Sequence, residues 1–336
     1  MINTNSNWNK NIPFLLKPIG KDYLWGGNRL NDTFGKGIDM SPLAETWECS
    51  THPDGYSMVA SGKYRGKTLK EVLHIHPEYL GKRLDTIDEF PILVKFIDAK
   101  QNLSVQVHPD DTYAFEHEHG QRGKTEVWYV LDAKPDAELV YGFRTDVTPE
   151  LIRSGVENGN IEKYLQRIKV QKDDVFFIEA GTVHAIGEGV LIAEIQENSN
   201  LTYRLYDYNR MDKNGNSREL HLDKALQVMN YSRSDEPKQP MRVLKYRRGL
   251  ASEFLCRCKY FELERVLINT ERCRDMVSIS TDEDSFKVIL CIDGCGSATF
   301  ADGQSFNIFK GDCIFIPANS VEIKLHGKMQ FLKIFC

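Results

Sequence analysis

The chain has 336 residues, enough for two domains or one double-layered unit with a sizeable core. Its 43 basic residues stand against 48 acidic ones, a formal net charge of −5, which argues against a nucleic-acid or anionic-membrane surface as its main business. No apolar run approaches the ~20 residues needed to span a bilayer. The first ten residues are polar and lack the apolar centre of a signal peptide, so a cytoplasmic protein is expected. Of the eight cysteines, seven follow residue 250 and none forms a C-x-x-C pair, so reduced thiols are expected.

In chain order, the first clear element is a helix over 68–76, beginning after a glycine turn. Short strands are predicted over 90–97, 103–107, 126–131, 138–143, 175–178 and 190–195. Between the second and third, a short helix containing His117 and His119 is capped by Asp110 or Asp111. Residues two apart on a helix diverge by roughly 200°, so these two histidines are expected on the surface rather than on one metal. Thr148-Pro-Glu-Leu-Ile carries an N-cap threonine and proline at the first helical position, opening a helical insertion over about 148–168. A further helix covers 222–229. The segment 234–240, with two prolines among polar residues, reads as a linker. Beyond it, strands at 288–292, 313–317 and 331–335 make a compact β unit, and Lys245-Tyr-Arg-Arg248 reads as a solvated turn.

Four metal-competent side chains fall in or beside the predicted strands: Gln106, His108, Glu126 and His184. Residues two apart on a strand share a face, so Gln106 and His108 can aim into one cavity. Two imidazoles, a carboxylate and an amide oxygen make a plausible divalent site that keeps an open position. An internal echo accompanies it: residues 172–184 align without gaps to residues 310–322. Where the first copy has His184, the second has Glu322, so a duplicated β-barrel is expected whose second member holds no metal. The fold class is therefore mainly β, with two jelly-roll barrels, which the resemblance described next makes cupin-type, and a helical insertion in the first. The expected division is 1–240 for the metal-bearing domain and 241–336 for a metal-free one.

The chain resembles the type I phosphomannose isomerases of the cupin superfamily, in their short bacterial form. The resemblance rests on Leu24-Trp-Gly-Gly27, Glu45-Thr-Trp-Glu48, the His52-Pro-Asp-Gly55 turn, Gly123–Val130 and Val183–Arg210. Its most specific segment is Lys95-Phe-Ile-Asp-Ala-Lys-Gln-Asn-Leu-Ser-Val-Gln-Val-His-Pro-Asp110. It implies that Gln106, His108, Glu126 and His184 bind one zinc ion per chain, and that Ser104, Lys95, Lys124, Glu194, Arg204 and Arg210 surround a sugar phosphate. The implied reaction interconverts mannose 6-phosphate and fructose 6-phosphate, in a monomer or homodimer. Two departures concern a turn: Asp173 and Glu179 stand where the family usually has glycine and proline. A third is Asn200, a position often acidic in longer members.

Aldose–ketose interconversion passes through an enediolate, so a site must acidify a C–H bond and stabilise charge on two adjacent oxygens. Arg204 offers a permanent planar cation for that purpose, with an ion pair to Asp207 as the bland alternative. Lys95 and Lys124 flank the ligands, and Lys124 is two before Glu126. Glu194 is the leading candidate for the base and Lys124 the second. Trp25 is read as a wall of the pocket, with simple core as its alternative. Two other functions stay open on residues alone: a cupin oxygenase, which would favour a histidine in the slot of Gln106, and a non-catalytic sugar-binding module.

Overall fold

The structure, a computed structural model, describes residues 11–84, 89–211, 215–273, 275–300 and 303–336. It is mainly β, built on three antiparallel sheets. A six-stranded sheet runs in the order Val175–Ile178, Glu126–Ala133, Val190–Glu197, Ile92–Asp98, Glu45–Cys49, Ile19–Lys21. A five-stranded sheet runs Tyr203–Tyr206, Val105–Val107, His184–Ile186, Glu138–Phe143, Leu165–Lys169.

The six-stranded sheet is covered on both faces, and strand alternation decides what each face touches. Ile97, Trp128, Val130 and Ile192 pack on Leu139 and Ile186 of the five-stranded sheet. Val94, Phe96, Val127, Tyr129 and Ala193 point the other way, into a core shared with Leu263, Phe286, Phe315 and Leu332 of the C-terminal part. Double coverage explains why Ile92–Asp98 and Val190–Glu197 are buried throughout and lack an exposed polar face. The five-stranded sheet turns its outer face, with Val105, Val107, Val140 and Leu205, to the helices Pro149–Glu157 and Leu222–Val228.

The third sheet has ten strands, eight of them from residues beyond 241. The other two are Phe14–Lys17 and Met58–Val59, the first pairing with Cys313–Ile316. The boundary expected at residue 240 is therefore crossed by the first strand of the chain. The segment 234–240 is irregular, and Gln239 within it accepts the Val175 amide at 2.7 Å.

Three helices start at side-chain caps. Thr68 and Glu71 form a reciprocal capping box, Asp110 accepts from the Tyr113 amide, and Thr148 accepts from the Leu151 amide with Pro149 at the first turn. The insertion over 148–168 needs correction. Its helix ends at Glu157 before Gly159, whose φ is +65°; after a 3₁₀ turn at Ile161–Tyr164, Leu165–Lys169 is a strand paired with Glu138–Phe143. A free sheet edge offers that segment backbone partners, which outweighs its helical pattern. Lys245-Tyr-Arg-Arg248 is likewise no turn: Leu244–Arg247 is an exposed edge strand, joined through Gly249 at φ +74° to Leu250–Arg257.

The internal echo is structural. Val175–Ile178 and Cys313–Ile316 both follow a left-handed residue, Asp173 at φ +73° and Gly311 at φ +99°. Asp174 accepts the Gln171 amide at 2.9 Å and Asp312 accepts the Phe309 amide at 2.7 Å, so the two turns share their hydrogen bond. Asp173 thus keeps the turn without glycine, and its carboxylate receives the Tyr129 hydroxyl and lies 3.2 Å from Arg265.

One buried ion pair joins the six-stranded sheet to the second copy of that turn. Lys36 Nζ lies 2.7 Å from Glu48 Oε1 and donates to the Gly311 carbonyl, with both side chains nearly sealed from water. Thr46 also donates to Glu48. Lys36→Met leaves a carboxylate buried without its cation, so it is expected to cost about 3–5 kcal/mol in urea unfolding. Lys36→Met with Glu48→Leu should recover much of that loss; equal losses in the single and double variants would show that the pair is not the source.

A candidate metal centre between two sheets

The register of the two facing sheets places the chemistry in two rows. On the six-stranded sheet, Trp47, Lys95, Glu194 and Trp128 are successive cross-strand partners. On the five-stranded sheet, Arg204, Gln106, His184 and Tyr141 are successive partners. The rows meet where the Trp128 and His184 rings pack edge to face at 5.4 Å. Glu126 is two before Trp128 and His108 two after Gln106, so each shares its neighbour's face.

His108, Glu126 and His184 converge, with donor atoms all within 4.8 Å of one another. His184 Nε2 lies 3.4 Å from Glu126 Oε1, and His108 Nε2 lies 3.6 Å from Glu126 Oε2. Gln106 Nε2 is 3.3 Å from His184 Nε2, and its amide oxygen is the atom it can offer a cation. His184 Nδ1 donates to the Thr182 carbonyl at 2.8 Å, which fixes the tautomer whose Nε2 lone pair faces the cluster.

These groups fit a divalent cation. Both ring nitrogens of His108 and both oxygens of Glu126 are buried without a hydrogen-bond partner, which is costly unless something else binds them. Burial holds His108 well below its usual pKa and lowers His184 to about 4, so both imidazoles are neutral and able to ligate. Burial, reinforced by Glu194, pushes Glu126 up to about 7 against the pull of Lys124 and Lys95. The lysines offset only part of the cost of burying this carboxylate, and a bound cation would supply further compensating charge.

Around this cluster, Lys124 Nζ lies 3.1 Å from Glu126 Oε2. Lys95 Nζ lies 3.1 Å from Glu194 Oε1 and 4.0 Å from Glu45 Oε2. Trp128 donates its indole N–H to Glu194 at 3.0 Å, and Trp47 donates likewise to Glu45 at 2.8 Å. Burial raises the pKa of Glu194, but the attraction of Lys95 and Lys124 outweighs it and holds the carboxyl below its ordinary value. Ser104 is buried immediately before the strand that carries Gln106. Trp25 is 4% exposed, stacks on Tyr23 and packs in the same core as Trp128 and Leu103.

Arg204 adjoins Gln106 and donates Nη1 to the Glu219 carbonyl at 2.7 Å, while its buried Nε has no partner among the described residues. Asp207 does not form the ion pair with Arg204 that was the bland alternative; its carboxylate receives Arg210 and Arg218 instead. Arg210 also donates to the Asn102 carbonyl at 2.5 Å. Asn200 donates to Asp54 at 2.7 Å. His117 is half-exposed, with its ring centroid 4.2 Å from that of Tyr113, away from the cluster.

Glu45, Trp47, Trp128 and Arg218 were not singled out from sequence. Alternation in Glu45-Thr-Trp-Glu48 does pair Glu45 with Trp47 on one face and Thr46 with Glu48 on the other, but it cannot say which face holds the centre. Arg218 lies in a polar loop without periodicity. A cavity of about 1390 Å³ is lined by His52, Asp54, Asn200, Leu201 and the helix Asp111–His117, and not by the four metal-competent residues. It adjoins the centre through Leu201, whose backbone lies against the His108 ring.

Facing β-sheets that bury two histidines, a carboxylate and an amide beside lysines and arginines define a cupin-type enzyme centre suited to a divalent ion and an anionic substrate. Comparison with known proteins narrows the class. Residues 14–139 match the family described as phosphomannose isomerase type I, catalytic domain, and residues 251–336 match the mannose-6-phosphate isomerase cupin domain. A mannose-6-phosphate isomerase of Bacillus subtilis is 38% identical over 318 residues, covering 94% of this chain and 96% of the relative. A mannose-6-phosphate isomerase of Streptococcus mutans is 33% identical over 321 residues, covering 95% of this chain and 97% of its own length. The crystal structure of the mannose 6-phosphate isomerase from Bacillus subtilis superimposes with a TM-score of 0.87 at 35% identity, covering 96% of this chain and 99% of that one. The chain belongs to the type I phosphomannose isomerases, which are aldose–ketose isomerases.

Proposed function

We propose that this chain interconverts mannose 6-phosphate and fructose 6-phosphate at the His108–Glu126–His184 centre. The observation that carries this reading is the facing of the two rows: Gln106, His184 and Arg204 on one sheet, Glu126 and the Lys95–Glu194 pair on the other, with His108 completing the cation-competent cluster. We assign the centre to one zinc ion per chain, held by Gln106, His108, Glu126 and His184, because a mixed nitrogen and oxygen donor set with a single carboxylate suits it. Such an ion supplies Lewis-acid polarisation of the two adjacent substrate oxygens.

The chain's own residues do the rest. Glu194 takes the proton from one carbon and returns it to its neighbour; its ion pair with Lys95 and the Trp128 N–H keep the carboxylate ionised and aimed. Lys124 is the second candidate for that role. The half-buried Arg204 guanidinium, whose buried Nε has no partner among the described residues, receives the charge that develops on the enediolate oxygens. Ser104, Lys95, Arg210 and Trp25 bind and enclose the sugar phosphate. The second copy of the turn, where Glu322 stands in the place of His184, takes no part.

A coupled assay of mannose 6-phosphate to fructose 6-phosphate with metal-replete protein tests the reaction. Turnover is expected, and its absence in a folded, metal-loaded sample would overturn the assignment.

A further inference from the structure

Arg204, Arg210 and Arg218 gather at one end of the five-stranded sheet, with Asp207 among them. Asp207 is 5% exposed and is clamped by Arg218 through both oxygens, Nε to Oδ2 at 2.8 Å and Nη2 to Oδ1 at 2.5 Å. Arg210 binds the same Oδ1 and the Asn102 carbonyl. One carboxylate thus serves two guanidiniums while a third, Arg204, is bound only to backbone carbonyl oxygen. The side chain of Glu219 adds a weaker attraction toward Arg204, yet among the described residues these three cations face two anions.

The excess has a direction. Tyr23, stacked on Trp25, lies within electrostatic reach of Arg218 and also of Lys95 and Glu45. Geometry agrees: Arg210, on the same carboxylate as Arg218, donates to the Asn102 carbonyl, and the adjacent Gln101 amide bonds the Trp25 carbonyl at 3.0 Å, so the cluster adjoins the segment that carries Tyr23 and Trp25. Arg204 is paired with Gln106, so the cluster begins at the metal centre and extends from it through Asp207. Three residues of extended chain cover roughly 10 Å, which separates an anion bound by Arg218 from chemistry at the centre. A guanidinium already oriented by a buried carboxylate loses little freedom on binding a second anion, and its fork matches phosphate oxygens.

We propose that Arg218, held by Asp207 beside Arg210, receives the phosphate group of the substrate and sets the preference for phosphorylated over free hexose. This rests on the isomerase reading above and adds a specificity residue to it. Arg218 touches substrate at the end remote from the reacting carbons, so its loss should weaken binding more than turnover.

The test uses Arg218→Ala and Arg218→Lys, with binding measured apart from catalysis. For Arg218→Ala, KM for mannose 6-phosphate should rise roughly 10- to 100-fold while kcat changes less than about threefold, as for loss of a charged hydrogen-bonded contact. Inorganic phosphate, as a competitive inhibitor and by titration calorimetry, should weaken in parallel, and the metal content should stay constant. Arg218→Lys keeps charge without the fork and should fall between; it also decides the matter if Arg218→Ala does not fold. Unchanged phosphate binding in a folded variant, or a fall in kcat alone, would overturn the proposal. Phosphate calorimetry on the unaltered protein needs no turnover, so failure of the isomerase reading would show in the assay and not in this comparison.

Discussion

Glu194→Gln should lower kcat by about 10²- to 10⁴-fold, the range contributed by a positioned proton-transfer group, with KM for mannose 6-phosphate little changed. The substitution keeps shape and leaves an amide oxygen to accept the Trp128 N–H, 3.0 Å away in the parent. It removes the charge that pairs with Lys95 at 3.1 Å. The pH profile separates a base from a brace. Lys95 and Lys124 hold Glu194 below its ordinary pKa despite its burial, so the parent keeps an ionised base across neutral pH and loses activity only as acid protonates it. In Glu194→Gln that acid limb should vanish from the residual rate. If it persists unchanged and kcat falls less than about tenfold, the proton belongs to another group, and Lys124→Met becomes the decisive variant.

His184→Ala should abolish measurable turnover, a loss of about 10³-fold or more, because it removes a ligand rather than tuning one. The accompanying measurement is metal content after dialysis, which should fall well below one ion per chain. Asn is no substitute here, since the Nε2 that faces Glu126 at 3.4 Å is oriented by the Nδ1 bond to Thr182. A His184→Ala protein with full metal content and parent activity would remove His184 from the centre. Thermal stability offers an independent reading. A ligand that binds only the folded state raises its stability, so metal addition should raise the melting temperature of the parent and not of the variant.

Much of this centre was legible in the sequence, and the reasons are local. Gln106 lies on one strand with His108 just past its end, and Glu126 and Trp128 alternate on another with Lys124 just before it, so the spacing of two kept each set close. What alternation could not supply was the partner sheet. Glu45 and Trp47 acquire meaning only when their strand lies beside Lys95 in the sheet. Arg218 is brought to Asp207 by a loop with no period, so nothing in its neighbourhood distinguished it from a solvated arginine. The helical expectation over 148–168 fails at its end for a related reason: Leu165–Lys169 takes its conformation from the edge of Glu138–Phe143, a contact that no short window contains. Asp173 shows the converse. Its departure from glycine is accommodated in the turn, because its side chain finds Tyr129 and Arg265.

The central claim is that the cluster of His108, Glu126 and His184 works through a bound divalent ion. The most direct measurement follows mannose 6-phosphate isomerisation in one preparation as isolated, after exhaustive chelation, and after stoichiometric return of zinc, with metal content determined at each stage. Activity that falls with the metal and returns with about one equivalent per chain is the predicted result. Full activity in chelated protein shown to be free of metal would contradict it.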